Sequence, residues 1–188
     1  MILPRFLSFM SLTLATLLPG ILLLIVGGLL LVGNSAIVTS FKAMPRSPVA
    51  TAIFFGGAAI WFLTRIWTLS TADFGEYRTL LLIGFSAVAV LSFVYVPDFL
   101  AVRGLAALML LAAKPLLDAA YMEYHHPQRL FMVSIVFVGI ASAIYLGAVP
   151  FRLRDFFGWL FGTASRGRVL GAALAGYGLL LSVVAFTY

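Results

Sequence analysis

Three ionisable residues share one face of a predicted apolar helix, and their types suit the handling of ions or anions. Arg103 and Lys114 are eleven residues apart, which is three helical turns to within about 20°, and Asp118 follows Lys114 at i+4. Ionisable groups inside an apolar helix are energetically expensive and commonly mark ion or substrate pathways. One interpretation is therefore a polar path or anion site that these three residues form inside a helical bundle.

The positions of the same residues along the helix favour a second interpretation. Arg103 lies near the predicted start of the helix, whereas Lys114 and Asp118 lie near its end. Long charged side chains at such depths extend to the nearest membrane surface, which would leave Lys114 and Asp118 as a structural ion pair. Pro115 removes a backbone donor beside Lys114, so we expect a bend there. The sequence alone leaves both interpretations open.

The turn that follows this helix contains the only two histidines of the chain. Glu123, His125 and His126 lie there with Tyr121 and Tyr124, a composition typical of a polar cluster at a membrane surface. A metal site normally needs three or four converging ligands, and adjacent histidines point in different directions. The chain also has no cysteine. We therefore expect no metal site and no cofactor, including haem.

Motifs of known enzyme classes are missing from the chain. The sequence contains no HExxH, GxSxG or GxGD pattern and no phosphate-binding P-loop. Asp73 and Glu76 are close in sequence, but they fall in a short polar turn, where a solvated capping pair is the usual explanation. An enzyme is thus the least supported class of protein.

Long apolar helices must position these residues. The chain of 188 residues is 63% hydrophobic and 10% charged, whereas soluble domains are about 45–50% apolar and about 25% charged. Six windows reach the roughly 17–25 residues that a spanning helix needs. We predict an all-α polytopic transmembrane bundle in one domain, residues 1–188, with helices at about 6–32, 48–69, 79–96, 98–121, 130–148 and 169–186. The first is expected to be a retained signal anchor, because its apolar run is longer than that of a cleaved signal peptide.

An additional amphipathic helix is predicted at about 151–164, lying in the membrane surface. Its apolar side chains gather on one face at about 100° per residue, and Arg152 and Arg154 flank that face. With Arg166 and Arg168 they are expected to contact lipid headgroups. The net charge of +6 is therefore attributed to contacts with the bilayer and its anionic lipids, and we do not expect binding to nucleic acid.

Lysine and arginine are unevenly distributed between the two sides of the predicted bundle. Seven lie on the side of the first, third and fifth loops and five on the other side, and the densest group runs from Arg152 to Arg168. The positive-inside rule then places the odd loops in the cytoplasm and both termini outside. The membrane that we expect is a plasma membrane of the bacterial cytoplasmic type.

Small residues spaced by four predict where the helices pack against each other. The patterns are Gly139, Ala143 and Gly147 on the fifth spanning helix, and Gly171 with Ala175 and Ala172 with Gly176 on the sixth. Packing within one chain is favoured over a dimer interface for these patterns.

Short loops, small-residue patterns and missing catalytic motifs together predict a structural or accessory component of a membrane assembly. Its expected partners are lipids and other membrane subunits or further copies of the chain. The alternative is a small transporter or channel that uses the stripe of Arg103, Lys114 and Asp118.

Overall fold

The structure is a computed structural model that describes residues 10–188, and within that range it has eight helices and no strand. The helices are α1 (Leu12–Val32), α2 (Ser35–Ala43), α3 (Pro48–Trp67), α4 (Arg78–Tyr95), α5 (Leu100–Ala120), α6 (Arg129–Ala148), α7 (Phe151–Leu160) and α8 (Ala164–Ala185). All except α2 and α7 are long and apolar enough to cross a membrane. The predicted all-α, multi-pass membrane bundle is confirmed. The predicted helix start at residues 6–9 lies outside the described residues.

The start predicted for the last spanning helix is five residues late, because α8 begins at Ala164 and not near Val169. A hydropathy window detects only the part of a helix that lies in hydrocarbon. The polar first turns of α8 extend beyond that part, so Arg166 and Arg168 belong to the helix and not to the preceding loop.

The turn residues and charges of the first connecting segment, residues 33–47, predict a loop, but the segment contains the helix α2. Gly33 ends α1 in the left-handed conformation, with φ of 51°. Asn34 then caps α2, and its side-chain oxygen accepts a hydrogen bond from the Ile37 backbone N–H at 2.8 Å. Gly33 and Asn34 are common in loops, but here Gly33 ends α1 and Asn34 begins α2.

The contact between α1 and α8 is the most extensive in the fold, and glycine makes it possible. A Cβ atom on Gly27 would lie 2.5 Å from the backbone N of Ala175, and one on Gly178 would lie 2.7 Å from the carbonyl oxygen of Gly20. Gly171 lies in the same contact, where its Cβ would be 2.9 Å from the carbonyl oxygen of Gly27. The predicted small-residue packing of Gly171 and Ala175 is confirmed as a contact within the chain.

The other small-residue pattern of α8 faces away from the bundle. Ala172 and Gly176 are exposed, and a Cβ on Gly176 would meet nothing within 4 Å. The prediction of packing within the chain is wrong for this pair, because the opposite face of α8 already carries the contact with α1.

Small residues also bring α6 against α5. Ala143 is fully buried, Gly139 faces the Met109 side chain, and Gly147 faces Ala106. Both helices contact α1 as well, so α1, α5, α6 and α8 form the centre of the bundle. The packing of α6 thus follows its small-residue pattern.

α3 joins this centre at a distorted helical turn. Its segment Ala52–Gly56 is π-helical, and α5 lies against it through Gly104. A Cβ on Gly104 would lie 2.3 Å from the backbone N of Phe55. The two backbones are therefore in direct contact at this point.

α4 is an outer helix that packs mainly on α3 and buries none of its residues. Two edge-to-face aromatic pairs hold it, Phe55 with Phe93 and Phe62 with Phe85, with ring centres 5.3 and 5.0 Å apart. The short connection at Pro97 and Asp98 predicts a tight antiparallel hairpin of α4 with α5, and this prediction is wrong. A short connection brings the ends of the two helices together, but α3 occupies the space where their flanks would pack.

The two ends of the bundle differ chemically. We call the end that contains α2, the loop 96–99 and α7 the basic end, and the end that contains the turns 68–77 and 121–128 the histidine end. At the basic end, Phe41 of α2 packs edge-on against Phe157 of α7, with ring centres 5.6 Å apart. The sequence predicted one surface helix, and the structure has two that pack together.

Candidate functional site

Lys114 and Asp118 form an ion pair on the outer surface of α5. The Lys114 Nζ lies 2.8 Å from the Asp118 Oδ2, and the two side chains are 67% and 60% exposed. The helix continues through Pro115, so the i+4 spacing holds the two groups on one face. The pair predicted from the sequence is present, and it points away from the helices at the centre of the bundle.

Arg103 lies on the same face of α5 but is about three turns away from Lys114. Its side chain is exposed and forms no hydrogen bond or ion pair with another residue in the range 10–188. The structure therefore brings two of the three stripe residues together and leaves the third separate, one turn from the basic end.

A cleft of about 320 Å³ lies beside this stripe, between α3, α4 and α5. Its lining side chains are apolar: Phe55, Ala58, Ala59, Phe62, Leu63, Phe85, Val88, Ala89, Ala107, Leu110 and Leu111. Because α3 contacts both neighbours while α4 and α5 make little contact with each other, α3 forms the floor and the other two helices form the walls.

The stripe and the cleft use the same face of α5. Ala107 and Leu110 follow Arg103 at i+4 and i+7, and Lys114 follows Leu110 at i+4. The cleft wall is therefore apolar in its middle, with a single cation one turn beyond one end and a neutralised ion pair one turn beyond the other. The cleft was not predictable from hydrophobic patterns, because it depends on which helices do not pack against each other.

The π-helical turn of α3 shapes one end of the cleft. Phe55 lies in this turn and lines the cleft, and the Gly104 contact fixes its backbone against α5. Single π-helical turns inside α-helices occur frequently at functional sites. The cleft therefore begins at a locally distorted and tightly held part of the fold.

The predicted polar cluster at the histidine end does not converge on one point. Glu123 and His125 are exposed, whereas His126 packs edge-on against Tyr188, with ring centres 5.2 Å apart. Within residues 10–188, no group of three or more His, Asp and Glu side chains is placed to hold a metal ion.

The four arginines predicted to contact lipid headgroups all lie at the basic end with exposed side chains. Arg154 pairs with Asp155 at 2.8 Å, and Arg166 donates a hydrogen bond to the carbonyl oxygen of Trp159 at 3.0 Å. Arg152 lies over the ring of Phe151, while Arg168 is in the second turn of α8. The four arginines surround α7, but their guanidinium groups do not converge on one point.

The apolar face of α7 is only partly available to lipid. Leu153, Phe157 and Leu160 are buried against the ends of α1 and α5, whereas Phe156 and Trp159 are 40% and 55% exposed. Three residues of the apolar face therefore cover the bundle end. Two aromatic side chains remain exposed beside the arginines.

A second arginine cluster surrounds Phe99 in the loop before α5. The Arg46 guanidinium lies 4.9 Å from the centre of its ring and that of Arg154 5.9 Å, while Phe99 itself has a positive φ of 57°. The position of Asp98 just before α5 predicts that it caps this helix. Asp98 instead lies 3.9 Å from Arg46, in the segment between α2 and α3, and Phe99 with its positive φ separates it from the helix start.

Sequence reasoning missed two arginines that close the turns of the histidine end. Arg78, the first residue of α4, donates to the carbonyl oxygen of Leu69 at 2.7 Å, and Arg129, the first residue of α6, donates to that of Ala120. Both hydrogen bonds span nine residues. Leu69 lies just past the end of α3 and Ala120 is the last residue of α5, so each arginine satisfies a carbonyl oxygen near a helix end. The signal that could have identified them is that each arginine is the first residue of the helix that follows a short turn.

Comparisons with protein-family models, with curated proteins and with solved structures found no match. The class of protein is therefore defined by the fold alone, as a multi-pass, all-α membrane protein with six helices long enough to span.

Proposed function

We propose that the protein is a non-catalytic structural or accessory component of a membrane assembly, located in a plasma membrane of the bacterial cytoplasmic type. The observation that carries the proposal is the position of α4. This helix packs mainly on α3 and buries none of its 18 residues, so its outer surface is available to another membrane subunit. The basic end supports an orientation in which that end faces the cytoplasm, since cytoplasmic loops are enriched in Lys and Arg.

The positions of the charged residues support an accessory role over catalysis or transport. Lys114 and Asp118 neutralise each other on the outside of α5, and the neighbouring cleft is lined by apolar side chains. Two other charges, Arg78 and Arg129, are engaged with backbone carbonyls of adjacent turns. These groups act in holding the fold together, which suits a protein whose role is to pack.

Photocrosslinking in native membranes tests this proposal. A photoreactive residue at Val90, which is 65% exposed on α4, should give one discrete adduct with another membrane protein or with a second copy. The same residue at Val183, 59% exposed on α8, is the matched control and should give only lipid adducts. Lipid adducts alone at both positions, or flux of a solute through liposomes that contain only the purified protein, would contradict an accessory role.

A small transporter or channel is the second candidate. The observation in its favour is that Arg103, Lys114 and Asp118 occupy one open face of α5, which a partner helix would convert into an enclosed path. Lys114→Leu and Asp118→Asn should then each abolish a flux measured in liposomes. An unchanged flux in both variants would eliminate this candidate.

A further inference from the structure

We propose that the cleft between α3, α4 and α5 binds one acyl chain of an anionic phospholipid, whose phosphate contacts Arg103. This site is distinct from the protein-facing surface of α4 and from the arginines of the basic end. Its parts are an apolar groove open to the side, a cation at one end and a neutral ion pair at the other.

The groove has the size and chemistry of a ligand site. Its volume of about 320 Å³ lies within the roughly 300–1,000 Å³ of small-molecule pockets, at the lower end. Every lining side chain is apolar, and the walls are parts of spanning helices, so the groove opens into the hydrocarbon layer. An acyl chain is the ligand that this layer supplies at high concentration and that requires no polar partner.

The end of the groove nearest the basic end supplies the headgroup contact. Arg103 lies one turn, about 6 Å, beyond Ala107 and about 5 Å from the start of α5. Its guanidinium can therefore reach headgroup depth while its aliphatic stem lies along the groove. No carboxylate among residues 10–188 pairs with it, which leaves the charge available to a phosphate.

On α5, the opposite end of the groove offers an anionic headgroup no net positive charge, and the cation at that end is Arg65 of α3, one turn beyond Phe62. Lys114 is the cation nearest to that end of the wall, but Asp118 lies 2.8 Å from it and neutralises it. An anion placed there would meet the Asp118 carboxylate as well. The charges of α5 therefore favour a lipid with its headgroup at the basic end, and Arg65→Gln should then leave the preference for phosphatidylglycerol unchanged, whereas loss of that preference in Arg65→Gln would place the headgroup at the histidine end.

A lipid crosslinking experiment tests the site. The purified protein in nanodiscs is exposed to phosphatidylglycerol or phosphatidylcholine that carries a photoreactive group in one acyl chain, and the adducts are mapped by mass spectrometry. Phosphatidylglycerol should label the cleft residues, for example Phe85 and Leu110, about fivefold more than phosphatidylcholine does, which is the effect of one Arg at an anionic surface.

Variants separate the two parts of the site. Arg103→Gln should remove the fivefold preference for phosphatidylglycerol, whereas Arg103→Lys should keep most of it. Arg168→Gln is the matched control, because Arg168 is exposed at the same end but lies on α8, and it should change the preference less than twofold. Equal labelling by both lipids in the unchanged protein would overturn the headgroup contact.

Filling the groove tests the chain contact. Ala107→Leu places a larger side chain in the cleft and should reduce labelling of Phe85 at least fivefold, and Val88→Trp, at a 59% exposed position of the opposite wall, should do the same if Ala107→Leu fails to fold. Ala172→Leu on the exposed face of α8 is the control. Labelling spread evenly over the outer helix faces, or a protein segment crosslinked within the groove, would overturn the assignment to a lipid chain.

Discussion

Gly104 of α5 lies in backbone contact with Phe55 of α3, so that even one added methyl group would sit 2.3 Å from the Phe55 nitrogen. The contact falls at the π-helical turn and at one end of the apolar cleft. Among the glycines of residues 10–188 this is the closest contact of that kind, and it lies where the centre of the bundle meets the α3–α4 pair.

Gly104→Ala should therefore destabilise the protein by about 1–3 kcal/mol, because a backbone atom cannot move aside as a side chain can. The measurement is thermal unfolding in detergent or nanodiscs. Gly84→Ala is the matched control, since a Cβ on Gly84 of α4 meets nothing within 4 Å. Equal unfolding midpoints for the two variants would show that the α3–α5 contact is not close.

Substitutions at two adjacent glycines of α1 test the contact between α1 and α8. Gly27→Leu should lower stability by roughly 1–3 kcal/mol or more, because its Cβ would already lie 2.5 Å from the backbone of Ala175. Gly28→Leu, one position along the same helix, faces open space and should have little effect. The prediction is contradicted if both substitutions shift the unfolding midpoint equally.

A double-mutant cycle tests the pairing of Lys114 with Asp118. Each single change, Lys114→Gln or Asp118→Asn, leaves one uncompensated charge on a membrane-facing surface, whereas the double change leaves none. We expect a coupling free energy of about 0.5–1.5 kcal/mol, with each single variant less stable than the double variant. Additive effects of the two single changes would show that the groups do not interact.

Hydropathy was sufficient to predict the six spanning helices, because a stretch of about 20 apolar residues has few alternatives to crossing a bilayer. It was not sufficient for α2, whose short amphipathic sequence lies outside the hydrocarbon. Gly33 and Asn34 carried a local signal for it, as a helix C-terminal glycine and an N-cap, but the same residues are common in loops.

The candidate site likewise has one part that the sequence predicts and one part that it does not. The i+4 spacing of Lys114 and Asp118 predicted their ion pair, because the geometry of one helix decides it. The cleft was not predictable in this way, because its lining comes from three helices and depends on α4 packing on α3 and not on α5. Hydrophobic periodicity predicts which face of a helix is buried, but it does not identify the helix that packs against that face.

Arg129 should contribute to stability through the turn at the histidine end. Its guanidinium bonds to the carbonyl oxygen of Ala120, at the end of α5, and stacks on Tyr124 at 4.8 Å. Arg129→Gln should cost about 1.5–3 kcal/mol, the range for a hydrogen bond to a charged group, measured by thermal unfolding. The control is Arg65→Gln, whose guanidinium has no such partner among residues 10–188, and an equal loss in both variants would argue against the turn contact.

The orientation in the membrane can be tested directly because the chain has no cysteine. Ser40→Cys places a thiol on the exposed part of α2 at the basic end, and Ala72→Cys places one in the exposed turn at the histidine end. If the basic end is cytoplasmic, a membrane-impermeant maleimide added to intact cells should label Cys at position 72 and leave position 40 unlabelled until the cells are opened. The reverse pattern would invert the topology, and it would place the Arg103 headgroup contact in the outer leaflet, where the density of anionic lipid differs from that of the cytoplasmic leaflet.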